Sequence, residues 1–418
     1  MRSGASSLYC SAVQQRGLMR RARSCNAWED RMTIHDSAGK PLGGAASDGG
    51  LRIDRRSLLL TPTAEAIGIN VADTSEAKAA VGSPGERIDA HTHFAPLKFL
   101  DFAEKAEGQP FELSPLFRSK PTLIGVRPRI DLLDHNKIDV NVLVPLPWIE
   151  AFPKVFATQT LATQAAKLMN DELAEVIATH PTRFRGVAIL PVVDPDAMVA
   201  ELHRAVSQLG FVGAYVAVGP TAKRMDHPDY EHLYKAIVEL DVTLWLHPSR
   251  PPFIPDYTDE KISQYYEWQL VGWPHDTTSA MFRIVFSGVF DRYPTIRIIT
   301  HHHGAFIPLL APRLGNVWRM LEVAGLSMPT KISTPYVEHF RKFYCDTAAS
   351  GFAPKALELA VDFFGPERVL FGSDVPFDIQ DGQIFISEIL RSIDAMAVSP
   401  ETRTAILSKN AAPILKLR

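Results

Sequence analysis

Two histidines stand one residue apart in Arg87-Ile88-Asp89-Ala90-His91-Thr92-His93-Phe94-Ala95-Pro96. Side chains two apart on a strand share a face, so an apolar run that ends in His-x-His presents two imidazoles side by side at the strand's end. That is half of a metal site, although two histidines exposed on an edge strand would give the same pattern. The remaining candidates are His247, which closes an apolar run before Pro248, the triple His301-His302-His303 after Ile296–Thr300, and Asp374 in Phe371-Gly372-Ser373-Asp374-Val375-Pro376. Several neutral imidazoles with one carboxylate suit zinc or a similar first-row divalent ion, and an incomplete shell leaves a position for water or substrate.

These residues need a frame that brings them to one place. Apolar runs bounded by Pro, Gly or polar residues occur at Ile88–His93, Val140–Pro147, Phe184–Pro191, Val212–Val218, Val242–His247, Ile296–His302, Phe343–Thr347 and Val369–Asp374. Their lengths suit parallel strands buried on both faces. Helical periodicity lies between them, at Thr160–Thr179, Asp196–Leu209, Tyr230–Leu240, Thr277–Phe290 and Pro354–Phe364, with Ile384–Ile393 and Glu401–Leu407 last. Eight strand-helix units in series predict an α/β fold, a (β/α)8 TIM-like barrel with loops inserted at its C-terminal face. Active sites of such barrels sit at the C-terminal strand ends, where every candidate above falls. Each alone has a structural explanation, Asp374 as a helix cap for instance, but four strands carrying polar residues at the same end do not arise from independent accidents. The long connections 97–138, 248–276 and 322–342 are functional in expectation, the first two as a partial lid over the mouth.

Composition narrows the partners. Lys plus Arg number 44 against 47 Asp plus Glu, a net charge of −3, and no basic run recurs in the body of the chain. Neither nucleic acid nor a membrane is therefore an expected partner, and no apolar stretch of about 18 residues could span a bilayer. Three cysteines, Cys10, Cys25 and Cys345, build neither a disulfide framework nor a cysteine zinc site. Residues 1–28 hold five arginines and no carboxylate, as in an organelle transit peptide or a misassigned start upstream of Met32. Asp54-Arg55-Arg56-Ser57-Leu58-Leu59-Leu60 resembles a twin-arginine export segment interrupted by Pro62 and Glu65. Residues 1–84 are thus expected to form a disordered tail or targeting segment and 85–418 the barrel, with a cytoplasmic location expected and export or organelle targeting the alternatives.

The order His-x-His, His, His and Gly-Ser-Asp-x-Pro resembles the amidohydrolase superfamily. Within it, Thr300-His301-His302-His303-Gly304-Ala305-Phe306-Ile307-Pro308 with Arg313, Phe286-Ser287-Gly288-Val289-Phe290-Asp291-Arg292-Tyr293-Pro294, and Asn410-Ala411 resemble the aminocarboxymuconate-semialdehyde decarboxylase-like, or amidohydrolase-related, family over about residues 86–416. The resemblance implies a single divalent metal, zinc or alternatively manganese, on His91, His93, His247 and Asp374, with Asp374 also catalytic. It implies His302 as the acid/base beside the metal; counting back from Pro308 sets that register, and His301 is the fallback. Strand alternation argues for one of the two only. His303 and Ala305 replace small residues of the family's pattern, and Pro248-Ser249-Arg250-Pro251-Pro252 departs from the namesake's Pro-Trp, which leaves the substrate open. The implied reaction is decarboxylation of a small unsaturated or aromatic carboxylic acid, with hydrolysis of a lactone, ester or amide as the alternative. Arg118, which matches a family arginine within a residue or so, and Arg250, three residues past His247, are candidates to grip the substrate carboxylate. A homodimer is expected from the same resemblance. No dinucleotide fingerprint, phosphate loop or Gly-x-Ser-x-Gly elbow occurs.

Overall fold

The structure, a computed structural model, describes residues 87–146, 148–326, 332, 335–348 and 353–417. The expectations about residues 1–84 lie outside the described residues.

Eight parallel strands follow one another in sequence order around the sheet: β1 (Ile88–His93), β2 (Val140–Val144), β3 (Phe184–Ile189), β4 (Gly213–Val218), β5 (Thr243–Pro248), β6 (Arg297–Thr300), β7 (Tyr344–Asp346) and β8 (Val369–Leu370). β1, β2 and β5 are buried along their whole length, as strands covered on one face by helices and on the other by the barrel interior must be. Beyond β8 the chain runs alongside β1. Ala90 N–H donates to Phe371 O at 2.8 Å, Asp374 N–H to His91 O at 2.9 Å and His93 N–H to Val375 O at 2.9 Å, which joins the last strand to the first. The expected (β/α)8 barrel is therefore the observed architecture.

The helices start and stop for local reasons. Pro195–Ser207 begins where the Asp194 carboxylate accepts the N–H groups of Asp196 and Ala197, with proline in the first turn. Pro354–Phe364 buries Leu357, Ala360, Val361 and Phe364, one stripe at three- and four-residue spacing. The connection 97–138 carries elements of its own, the short helices Leu97–Glu107, Ser114–Arg118, Pro121–Ile124 and Val126–His135. One helix boundary needs revision. The helix expected from Thr277 starts at Trp273 and ends at Phe286, because Pro274 falls in its first turn, where the missing N–H costs nothing.

Strand pairing tolerates little added volume between β4 and β5. A Cβ at Gly213 would lie 2.0 Å from Thr243 O and 2.5 Å from the Trp245 ring, both fully buried. Gly213→Ala is expected to destabilise the barrel by about 2 kcal/mol, the scale of overpacking in a tight core, and to lower the melting temperature by a few degrees. A melting curve that superimposes on wild type would show that the two strands part without cost.

Candidate active site

The C-terminal ends of β1, β5 and β6 and the segment after β8 converge on one buried cluster. One ligand atom from each of His91, His93, His247 and Asp374 lies within 4.8 Å of all the others. The backbone explains how Asp374 reaches them. It adopts a left-handed conformation, φ 60°, which short polar side chains tolerate, while its N–H is fixed to His91 O.

The Nδ1 atoms of these three imidazoles each face an acceptor: His91 meets Asp346 Oδ2 at 2.9 Å, His93 meets Val144 O at 3.2 Å, and His247 meets Pro248 O at 2.7 Å. Nδ1 is accordingly the donor in each ring, and Nε2 carries the free lone pair. His91 Nε2 and His93 Nε2 are 3.3 Å apart, and Asp374 Oδ1 is 3.1 Å from His93 Nε2 and 3.8 Å from His91 Nε2. Lone pairs and a carboxylate oxygen turned on one another in a buried space call for a cation, and this donor set fits a divalent first-row metal.

Charge follows the same logic. Burial and the neighbouring His93, His301 and His91 hold His247 neutral, its pKa pushed well below the ordinary value. Burial likewise keeps His93 below its ordinary value, against the pull of Asp374. Burial works to raise Asp374, but the neighbouring imidazoles of His302, His93 and His91 hold it well below the usual carboxylate range. His91 moves the other way: burial lowers it, Asp346 more than offsets this, and its pKa rises.

Strand six behaves differently from its expected alternation. β6 stops at Thr300, and His302 and His303 both take φ of 59° in a tight turn, so the period-two rule no longer applies after Thr300. Both His301 and His302 consequently reach the site. His301 stacks on His91 with ring centroids 3.5 Å apart, and its Nδ1 bonds Asp346 Oδ2. His302 places Nε2 3.9 Å from Asp374 Oδ2 and lies parallel to Trp273, centroids 6.3 Å apart and planes 6° from coplanar. The Nε2 atoms of both are buried without a protein partner. His301 is held neutral, near 3, by burial and by His91.

The carboxylate Asp346 was not among the sequence candidates; it lies inside the seventh apolar run, one residue before its end, and closes β7. It is fully buried, and Gly372 makes its approach possible: a Cβ there would sit 2.9 Å from Asp346 Cβ and 3.0 Å from His91 Cβ. Arg129 was also missed. It is fully buried, its pKa lowered to about 10 by burial, and it donates to Thr122 O and His93 O, which ties the end of β1 to the first insertion.

Both insertions bring aromatic side chains to the mouth. Phe377 lies 5.5 Å from His93 and 5.8 Å from Phe117, and Trp273 lies 6.0 Å from His247, all between ring centroids. The two candidate arginines are held by the chain's own carboxylates. Arg118 donates to Asp101 at 2.8 Å, Glu104 at 2.9 Å and Ser114 at 3.1 Å. Arg250 forms a two-pronged pair with Asp276 at 2.9 and 3.1 Å.

Residues 88–417 match the amidohydrolase family. The gamma-resorcylate decarboxylase of Rhodococcus jostii is 32% identical over 304 residues, 69% of this chain and 87% of the relative. The 2-amino-3-carboxymuconate-6-semialdehyde decarboxylase of Dictyostelium discoideum is 26% identical over 290 residues, 69% of this chain and 76% of the relative. Among solved structures, the dihydroxybenzoic acid decarboxylase of Polaromonas, with bound manganese and the inhibitor 2-nitroresorcinol, superposes with a TM-score of 0.65 at 28% identity, over 80% of this chain and 97% of that one.

Titration of the metal-free protein with zinc is expected to show one ion per chain, and His91→Ala or Asp374→Asn to abolish tight binding. Since Asp346 raises His91, the metal must displace a proton there, so affinity should fall as pH drops through that raised pKa and level off above it. Calorimetry at several pH values checks both points; affinity that increases on acidification contradicts the assignment.

Proposed function

Since the chain belongs to the amidohydrolase family, we propose that it is a metal-dependent carboxy-lyase that removes carbon dioxide from a small aromatic carboxylic acid. The observation that carries this reading is the convergence of three imidazole Nε2 atoms and the Asp374 carboxylate on one buried volume, beside a fourth imidazole and a parallel indole. His91, His93, His247 and Asp374 would hold one divalent ion. Zinc is the proposed metal, and manganese, present in the Polaromonas relative, is the alternative. Such an ion supplies Lewis acidity, drawing electron density from an oxygen of the substrate.

The protein's own groups do the rest. Trp273 and Phe377 offer flat apolar faces to a ring, and burial keeps water from the departing group. His302 Nε2 would hold the proton that the ring carbon bearing the carboxylate must receive, a role supported by its burial near Asp374. The proton bonds to that carbon, the bond to the carboxylate then breaks with its electron pair returning to the ring, and carbon dioxide leaves. His302 regains a proton from water. Asp374 lies 3.9 Å from His302 Nε2, near enough to orient that ring toward the substrate, and this is the share in catalysis proposed for it.

Arg118 and Arg250 enter as ligands of the substrate carboxylate on one condition, that each exchanges a carboxylate of the chain for the incoming one. Arg118, a third exposed and divided between Asp101 and Glu104, is the easier to recruit. Self-association is part of the proposal too, supported by Phe253, Tyr257, Ile262, Tyr265, Tyr266 and Leu270 standing more than half exposed on the second insertion. Light scattering on the eluting peak should give twice 46.3 kDa, and a monomer mass removes the dimer. No helix among the described residues is long and apolar enough to cross a membrane.

The decisive assay is carbon dioxide release from 2,6-dihydroxybenzoate and related hydroxybenzoates by the metal-loaded enzyme. Release is expected; products that differ from substrate by added water, without carbon dioxide, would identify a hydrolase instead. His302→Gln should retain the metal and lose roughly 100-fold in turnover, the scale of a lost acid/base group. The same loss in His301→Gln alone would move that role one residue back. Arg118→Met should raise KM for a carboxylate substrate about tenfold with metal content unchanged. Wild-type kinetics in both Arg118→Met and Arg250→Met would take the carboxylate role from the arginines.

A further inference from the structure

One buried carboxylate touches both halves of the site. Asp346 Oδ2 accepts from His91 Nδ1 and His301 Nδ1, while Oδ1 accepts two backbone donors, His302 N–H and Ala348 N–H, each at 3.1 Å. All four donors are buried, so the orientation of the carboxylate is set without help from solvent. His93 and His247, by contrast, use neutral carbonyls for the same purpose.

We infer that Asp346 is a positioning residue that fixes two imidazoles in one tautomer at once, holding His91 Nε2 bare for the metal and leaving His301 Nε2 bare within the same buried cluster. The inference rests on the proposed metal-dependent reading. Because the two rings stack 3.5 Å apart and share a single oxygen, neither can turn or exchange its proton without disturbing the other. The β7 aspartate thereby links the geometry of the metal ligand to that of the strand-six turn, which the same carboxylate anchors through His302 N–H.

The isosteric variant Asp346→Asn separates this role from simple space filling. The backbone N–H groups of His302 and Ala348 can be satisfied only by an oxygen, so the amide oxygen must occupy the Oδ1 position. Its NH2 then faces the two Nδ1 atoms as a donor. Both rings are driven to carry their proton on Nε2, the reverse of what metal binding needs.

The test is long-range proton–nitrogen NMR on the full chain labelled with nitrogen-15 histidine, metal-free and zinc-loaded, with signals assigned through His91→Gln and His301→Gln. Wild type is expected to show the Nδ1–H form for His301 in both states and for His91 when zinc is bound. Asp346→Asn should show Nε2–H at His301 and a loss of zinc affinity of about 10- to 100-fold, the usual effect of removing a ligand's orienting partner. A space-filling aspartate would leave the His301 tautomer unchanged in the variant, and that result overturns the inference. If Asp346→Asn does not fold, the wild-type spectrum decides alone, since an Nε2 proton on His301 is incompatible with the arrangement. Expected tautomers in a protein that binds zinc but releases no carbon dioxide would overturn the proposed reaction and leave Asp346's role standing.

Discussion

Electrostatic repulsion among unprotonated donors is the constraint on which the centre of this protein depends. Three imidazole lone pairs and a carboxylate oxygen gathered in a buried space are unfavourable together, and each is held there by a partner that faces away from the others: Asp346 for His91, the Val144 carbonyl for His93, the Pro248 carbonyl for His247, and the His91 carbonyl for the backbone of Asp374. Every one of those partners lies on, or next to, a barrel strand. A rigid ring of parallel strands supplies what the donors cannot supply themselves, a framework strong enough to keep like polarity together until a cation shares the space.

The legible part of the site was the part governed by periodicity. His91 and His93 share a face because β1 is a regular strand through both, and His247 ends a strand buried along its whole length. Asp374 was readable from its place at the end of the eighth apolar run, though β8 itself spans only Val369–Leu370 and the aspartate arrives through a left-handed turn. Strand six shows where the period-two rule stops. Alternation admits one of His301 and His302, but the chain leaves β6 at Thr300 and turns left-handed, which carries both inward.

Pairing between side chains far apart in sequence was not legible. Nothing local marks Arg118 as engaged by Asp101 and Glu104 or Arg250 by Asp276, and a loop arginine looks the same in sequence whether paired or free. Asp346 was overlooked for a different reason. It has no histidine neighbour and belongs to no pattern of its own, and its importance comes from two rings on other strands that bond one of its oxygens. The boundaries of the fold were read more securely than its insertions, since Pro354–Phe364 is marked by an apolar stripe at helical spacing while the four short helices after β1 carry no such long repeat.

Closure of the barrel has a consequence for how the protein comes into being. Ser373, beside Asp374, bonds Asp89 on β1 across 284 residues of sequence, and backbone bonds after β8 join the same strand. On the ribosome, His91 and His93 emerge early and must wait for nearly the whole barrel to be synthesised before Asp374 can join them. A nascent chain therefore carries the two histidines of β1 long before the rest of the buried cluster exists. Long-range closure of this kind is slow relative to local helix formation, so the buried cluster is among the last parts of the barrel to be completed.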